Sequence, residues 1–164
     1  MKKERRKQIT LVCNIAFACY IAVLIYFVLL SERYGRLTPY DTYQVNLKLF
    51  REIKRFIHYH RQIGFEGVVT NLIGNIFAFS PIGFFVPIIY KKWEKFEWIH
   101  CIVVTFLLSL IIETTQLILK IGVFDVDDLL LNTLGGLIGY IFFILVRKIV
   151  RQFWKKQENQ ERSH

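Results

Sequence analysis

Four carboxylates and four carboxamides stand out in a chain that is otherwise largely apolar. Asp125, Asp127 and Asp128 crowd into "FDVDDLLLNTLGG", Glu113 precedes them, and Asn71, Asn75, Gln116 and Asn132 lie inside long hydrophobic runs. Three chemistries suit such a set. Oxygen clusters hold hard cations, so Asp125, Asp127, Asp128 and Glu113 could together take a divalent cation, as in an intramembrane enzyme acting on a lipid phosphate or glycolipid headgroup. The same groups could bind the polar end of a ligand. They could also act as glue between helices, where each hydrogen bond contributes about 0.6 to 2 kcal/mol in a membrane. Glu113 argues for function over glue, because a carboxylate at the centre of a membrane helix costs about 2.5 to 3.5 kcal/mol. Such a group must face the bundle interior or a wet crevice, with Gln116 one turn away to offset part of the cost. Neither a Walker-type loop nor an H-E-x-x-H is present, and no serine or cysteine stands beside a histidine at an interface. With no independent nucleophile or base in view, the balance leans away from an enzyme.

The elements that carry these groups are membrane helices. The chain of 164 residues is 54% hydrophobic and 16% aromatic, too apolar for an ordinary soluble domain of this length, and it reads as one all-α membrane domain. Spanning segments are expected at about 9–30, 68–90, 98–119 and 129–150, each near the length that crosses roughly 30 Å of hydrocarbon. The first follows "MKKERRKQ" and is too long, with no small-residue cleavage site after it, for a removed signal peptide. The net charge of +9 sits between the apolar runs and at both ends, which fits membrane topology and not a groove for nucleic acid. Fourteen Lys and Arg fall on the side of the two tails and "YKKWEK", against eight opposite, so both termini should be cytoplasmic.

Within this frame the polar groups pair at helical spacing. Asn71 and Asn75, Glu113 and Gln116, and Asp128 and Asn132 are four, three and four residues apart, which gives each of three helices one polar stripe. With alternating orientation Asn75, Glu113 and Asn132 lie at depths of about 10, 9 and 5 Å from the outer end, so the stripes converge in the outer leaflet. A fourth span starting near Leu129 would be capped by Asp127 or Asp128, leaving two carboxylates beyond structural need.

The remaining signals concern packing. In the first external segment, residues from about 45 to 61 have Leu49, Phe50, Ile53, Phe56 and Ile57 on one arc and Lys48, Arg51, Lys54, Arg55 and His58 on the rest, the pattern of an amphipathic helix lying in the interface. His58 and His60 are two residues apart and would point to different faces, which disfavours joint metal ligation. Pro81 and Pro87 should kink the second span. Gly135 and Gly139 form a GxxxG pair beside Gly136, which favours a tight crossing. Cys13, Cys19 and Cys101 all lie in apolar runs, with neither disulfide nor metal spacing. The charged tail 151–164 should be a frayed, solvated end.

Taken together, "NLIGNIFAFSPIGFF" and "IETTQLILKIGVFDVDDLLLNTLGGLIGY" resemble the VanZ-like membrane proteins. The matching positions are Asn75, Phe79, Pro81, Gly83, Glu113, Gln116, Asp125, Asp128, Asn132, Thr133, Gly135 and Gly136. "NLKLF" at 46–50 is similar to the family's N-L-x-P-F without its proline, and "KIGVF" stands where many members carry an arginine. The resemblance implies a multi-pass protein of the bacterial plasma membrane. It also implies a link to the cell envelope, since the family's namesake is associated with resistance to the lipid-tailed glycopeptide teicoplanin. The expected partners are therefore the lipid bilayer and a lipid-linked or lipidated ligand.

Overall fold

The computed structural model describes residues 2–30, 39–58, 72–90 and 96–162. Asn71, His60, the start of the expected second span and the "KKWEK" turn lie outside the described residues. Helix α1 (Lys2–Ile25) runs into a π-helical turn at Tyr26–Leu30. There follow strand β1 (Gln44–Asn46), the short helix α2 (Arg51–His58), α3 (Gly74–Ile89), α4 (Glu97–Ile118), strand β2 (Val123–Asp125) and the long α5 (Val126–Arg162).

Among the described residues, three segments are long and apolar enough to cross a membrane: Lys7–Leu30, Glu97–Ile118 and Val126–Lys156. The described part of α3 is equally apolar but has 16 residues, short of the roughly 20 that a span needs. Large apolar side chains face outward on the three long helices, among them Ile15, Ile111 and Phe142. A soluble bundle would bury them; lipid solvates them without cost. The chain is a membrane-embedded helical protein.

The chain departs from the sequence-based expectation in three places. First, the fold is not wholly α-helical: β1 and β2 pair in parallel, with Gln44 opposite Val123, Val45 opposite Phe124 and Asn46 opposite Asp125. Second, the amphipathic helix begins at Arg51 and not near 45, so Leu49 and Phe50 lie outside its helical arc. Its cationic residues Arg51, Lys54, Arg55 and His58 are exposed, as the amphipathic pattern requires. Third, α5 is 37 residues long and continues through the charged tail to Arg162 instead of fraying after 150. At 1.5 Å per residue it is about 55 Å long.

Packing centres on α3 against α5. A methyl group at Gly83 would lie 1.8 Å from the Gly136 carbonyl oxygen, and one at Gly139 would lie 1.7 Å from that of Ser80, so only glycine permits this approach. Leu24, Phe79, Ile82, Val86, Cys101 and Ile112 form the buried core at the same level, with Phe17, Tyr20 and Tyr140 against it.

The two prolines of α3 each deprive a carbonyl four residues back of its donor. For Pro81 that carbonyl is Phe77, which accepts the Ser80 hydroxyl at 3.1 Å. For Pro87 it is Gly83, which accepts the Cys101 thiol of α4 at 3.8 Å. Tyr20 of α1 donates its hydroxyl to the Ala78 carbonyl in the same stretch. The end of the bundle remote from the strands is tied by Glu97 and Arg147, 2.9 Å apart.

Candidate functional site

Everything that could do chemistry gathers where β2 becomes α5. Helix α4 ends there in a Schellman turn: Lys120 N–H donates to Leu117 O and Ile121 N–H to Gln116 O, both at 3.0 Å. Lys120 takes the left-handed φ of 57°, a position usually given to glycine. It is held by its ammonium group, which donates to the Asp41 carbonyl at 3.2 Å and lies 5.0 Å above the Tyr43 ring. Tyr40 N–H donates to Lys120 O at 2.7 Å, which docks the 39–46 segment and lets β1 pair with β2.

The three aspartates separate by role at this joint. Asp125 is the N-cap of α5, accepting the Asp127 N–H on Oδ1 at 2.8 Å. The cap is therefore not Asp127 or Asp128: the helix starts at Val126, three residues earlier than the apolar run suggested, and both of those aspartates lie in its first turn. Asp125 Oδ2 accepts the amide of Asn46 from β1 at 2.9 Å. The Asp125 backbone N–H donates to Glu113 Oε2 at 3.1 Å, so this buried carboxylate is stabilised by a main-chain donor. Asp127, with no exposed surface, reaches outward from α5 to α2, accepting the N–H groups of Phe50 at 2.5 Å and Ile53 at 3.3 Å. It caps a helix more than seventy residues away in sequence. Asp128 turns to α3 and accepts the Asn75 amide at 2.6 Å.

Of the expected partners, Gln116 does not serve Glu113. Its amide donates to the Val28 carbonyl of the π-helical turn at 3.0 Å and so holds α1 to α4. Asn132 donates to the Ser109 hydroxyl at 2.9 Å, while its Oδ1, inside a residue only 3% exposed, has no donor among the described residues. Asn46, Ser109 and Tyr20 are members of this constellation that sequence reasoning missed. Ser109 was within reach of it, since Cys101, Thr105, Ser109, Glu113 and Gln116 form one stripe of polar and small residues at helical spacing along α4, all buried.

These groups surround a cavity of about 510 Å³. Its apolar wall comes from α1, the π-helical turn after it and α3, chiefly Tyr20, Leu24, Phe27, Phe77 and Phe79, and its polar floor is Asn75, Glu113, Gln116, Asp128 and Asn132. Five of the eight polar residues singled out from the sequence therefore line one space. Asp125 and Asp127 do not; they brace it from behind.

The donor set fits a divalent cation poorly. Asp125 and Asp127 are engaged by backbone N–H groups and by Asn46, Asp128 by Asn75, and Glu113 by Asp125 N–H. Among the described residues no group of three or more His, Cys, Asp or Glu is placed to hold a metal ion. A wedge of lipid-like wall over an oxygen-lined floor suits a molecule with an apolar body and a polar end.

A family model described as VanZ/LLP1 matches residues 17–147, which takes in every residue of this cavity. The chain is 28% identical over 138 residues to "Protein VanZ" of Enterococcus faecium, covering 82% of this chain and 75% of that protein. No solved structure matches it. The match over residues 17–147 makes the chain a member of the VanZ/LLP1 family.

Proposed function

We propose that the protein is a four-span protein of the bacterial plasma membrane, with both termini cytoplasmic, whose crevice opens to the outer leaflet and binds a lipid-linked or lipidated ligand. By holding such molecules the protein alters their access to targets in the cell envelope, which lowers susceptibility to lipid-tailed glycopeptides of the teicoplanin type. One observation carries the reading: a cavity of about 510 Å³ joins an aromatic and aliphatic wall to a floor of Asn75, Glu113, Gln116, Asp128 and Asn132. The excess of Lys and Arg on the side of the tails supports the orientation. Family membership supports the envelope role.

Expression in a sensitive bacterium tests it. Tolerance should rise for teicoplanin and much less for vancomycin, which lacks the lipid tail. An equal rise for both, or none for either, would count against the proposal.

A further inference from the structure

The end of the bundle remote from the strands carries a second cleft. Where α5 leaves its apolar stretch, Arg147, Lys148, Arg151 and Lys155 follow one another on one face at three- and four-residue steps. With Ile144 and Gln152 they line a space of about 380 Å³, which falls in the range of small-molecule sites, about 300 to 1,000 Å³. Arg147 is tied to Glu97. Lys148, Arg151 and Lys155 have no carboxylate partner among the described residues, and the sequence holds no acidic residue between Asp128 and Glu158. Like charges one turn apart repel and work against a helix, yet α5 stays helical through all of them to Arg162. An anion laid along the stripe would turn that repulsion into attraction.

The surroundings say which anion. Ile149, Val150, Phe153 and Trp154 are exposed on the same turns, and at helical spacing Ile149 and Phe153 fall on the face opposite the cations. Large apolar side chains, a tryptophan among them, fit these turns to a lipid interface. The cleft itself runs about 16 Å along the axis from Ile144 to Lys155, so it offers apolar contact at one end and cations at the other. A soluble anion would use the cations and leave the apolar side chains unanswered. We propose that this stripe is a binding site for the phosphate headgroup of an anionic membrane lipid, separate from the crevice at the other end of the bundle. Lys148, Arg151 and Lys155 supply charge-assisted donors to the phosphate oxygens, and the lipid's chains lie towards Ile144. A zwitterionic lipid would bring its own cation against the same three, which makes the site selective.

The test reads the cleft locally. Gln152 is exposed and lines it, so Gln152→Cys in a Cys13→Ala, Cys19→Ala background gives a reporter thiol, while Cys101 is buried and stays silent. Phe153→Cys in the same background is the control, at the same level on the face away from the cations. Maleimide labelling of the purified chain is followed in maltoside micelles as phosphatidylglycerol or phosphatidylcholine of equal chain length is added. An anionic surface disfavours thiolates everywhere on the micelle, so each rate is divided by that of the control. Phosphatidylglycerol should slow labelling at least threefold more than phosphatidylcholine. That preference should vanish with Lys148→Gln, Arg151→Gln and Lys155→Gln together, all at exposed positions. Arg151→Gln alone should at least halve it, whereas Lys156→Gln, which removes the same charge beside the stripe, should leave it unchanged. Equal protection by the two lipids, or equal slowing at Gln152→Cys and Phe153→Cys, overturns the site. So does a preference that survives the triple variant, or one that falls as far in Lys156→Gln as in Arg151→Gln, since net charge would then account for it. Inorganic phosphate that protects as well as phosphatidylglycerol at matched ionic strength overturns the lipid as occupant.

Discussion

The carboxylate of Asp127, in the first turn of α5, accepts the backbone N–H of Phe50 at 2.5 Å, at the entry to α2. The second oxygen takes Ile53 N–H in that helix's first turn. A short surface helix of eight residues has little stability of its own, and here its free donors are answered by a side chain of the membrane bundle. Phe50 also holds a left-handed φ of 62°, a strained state for a bulky residue that persists only where its surroundings fix it.

Removing that carboxylate should therefore loosen α2 first and the bundle second. Asp127→Ala leaves two N–H groups without acceptors and should cost about 1 to 3 kcal/mol. Hydrogen exchange at 51–58 should accelerate strongly, with a smaller fall in the thermal midpoint of the detergent-solubilised protein. Asp127→Asn, which keeps one acceptor, should lie between. Unchanged exchange in Asp127→Ala would show that α2 is held by other contacts.

The Cys101 thiol and Pro87 meet at one carbonyl, that of Gly83. Cys101→Ala should destabilise the protein by about 0.5 to 1.5 kcal/mol, the range of such bonds in membranes. Cys101→Ser, which donates better, should match or exceed wild type. In Pro87→Ala the helix regains its own donor to Gly83, so Cys101→Ala on that background should be nearly silent. A double-mutant cycle measures this coupling; additive effects would mean that the thiol merely fills space.

Glycine position decides tolerance along the α3–α5 crossing. Gly139→Ala drives a methyl group into the Ser80 carbonyl, whereas a methyl at Gly74 meets nothing within 4 Å. Membrane levels should collapse for the first and hold for the second. Equal levels would show that the helices can separate without loss.

Much of the site could be read in the sequence because polar residues in an apolar helix have few reasons to be there. The three- and four-residue spacings put Asn75, Glu113, Gln116, Asp128 and Asn132 on inward faces, and all five line the cavity. The roles of the aspartates could not be read. "DVDD" offers three acceptors, and which one caps α5 depends on where the helix starts. That start is set by β2, which pairs with a strand seventy-nine residues upstream through Asn46 and Asp125. Three-residue strands give no alternation to detect. The same tertiary contact shortens the amphipathic helix, since Asn46 is committed to Asp125 and Phe50 to Asp127 before the helical pattern can begin. Pro81 and Pro87 announced disturbed backbone, but not that Ser80 and Cys101 would repair it.

The central claim is that the crevice, and not the fold alone, carries the activity. The most direct measurement compares teicoplanin tolerance in cells carrying wild type, Asn132→Leu or Gly74→Ala at matched membrane levels, with vancomycin as the control drug. Wild type and Gly74→Ala should raise teicoplanin tolerance severalfold, and Asn132→Leu should bring it back to that of cells without the protein. Full tolerance in Asn132→Leu would contradict the claim.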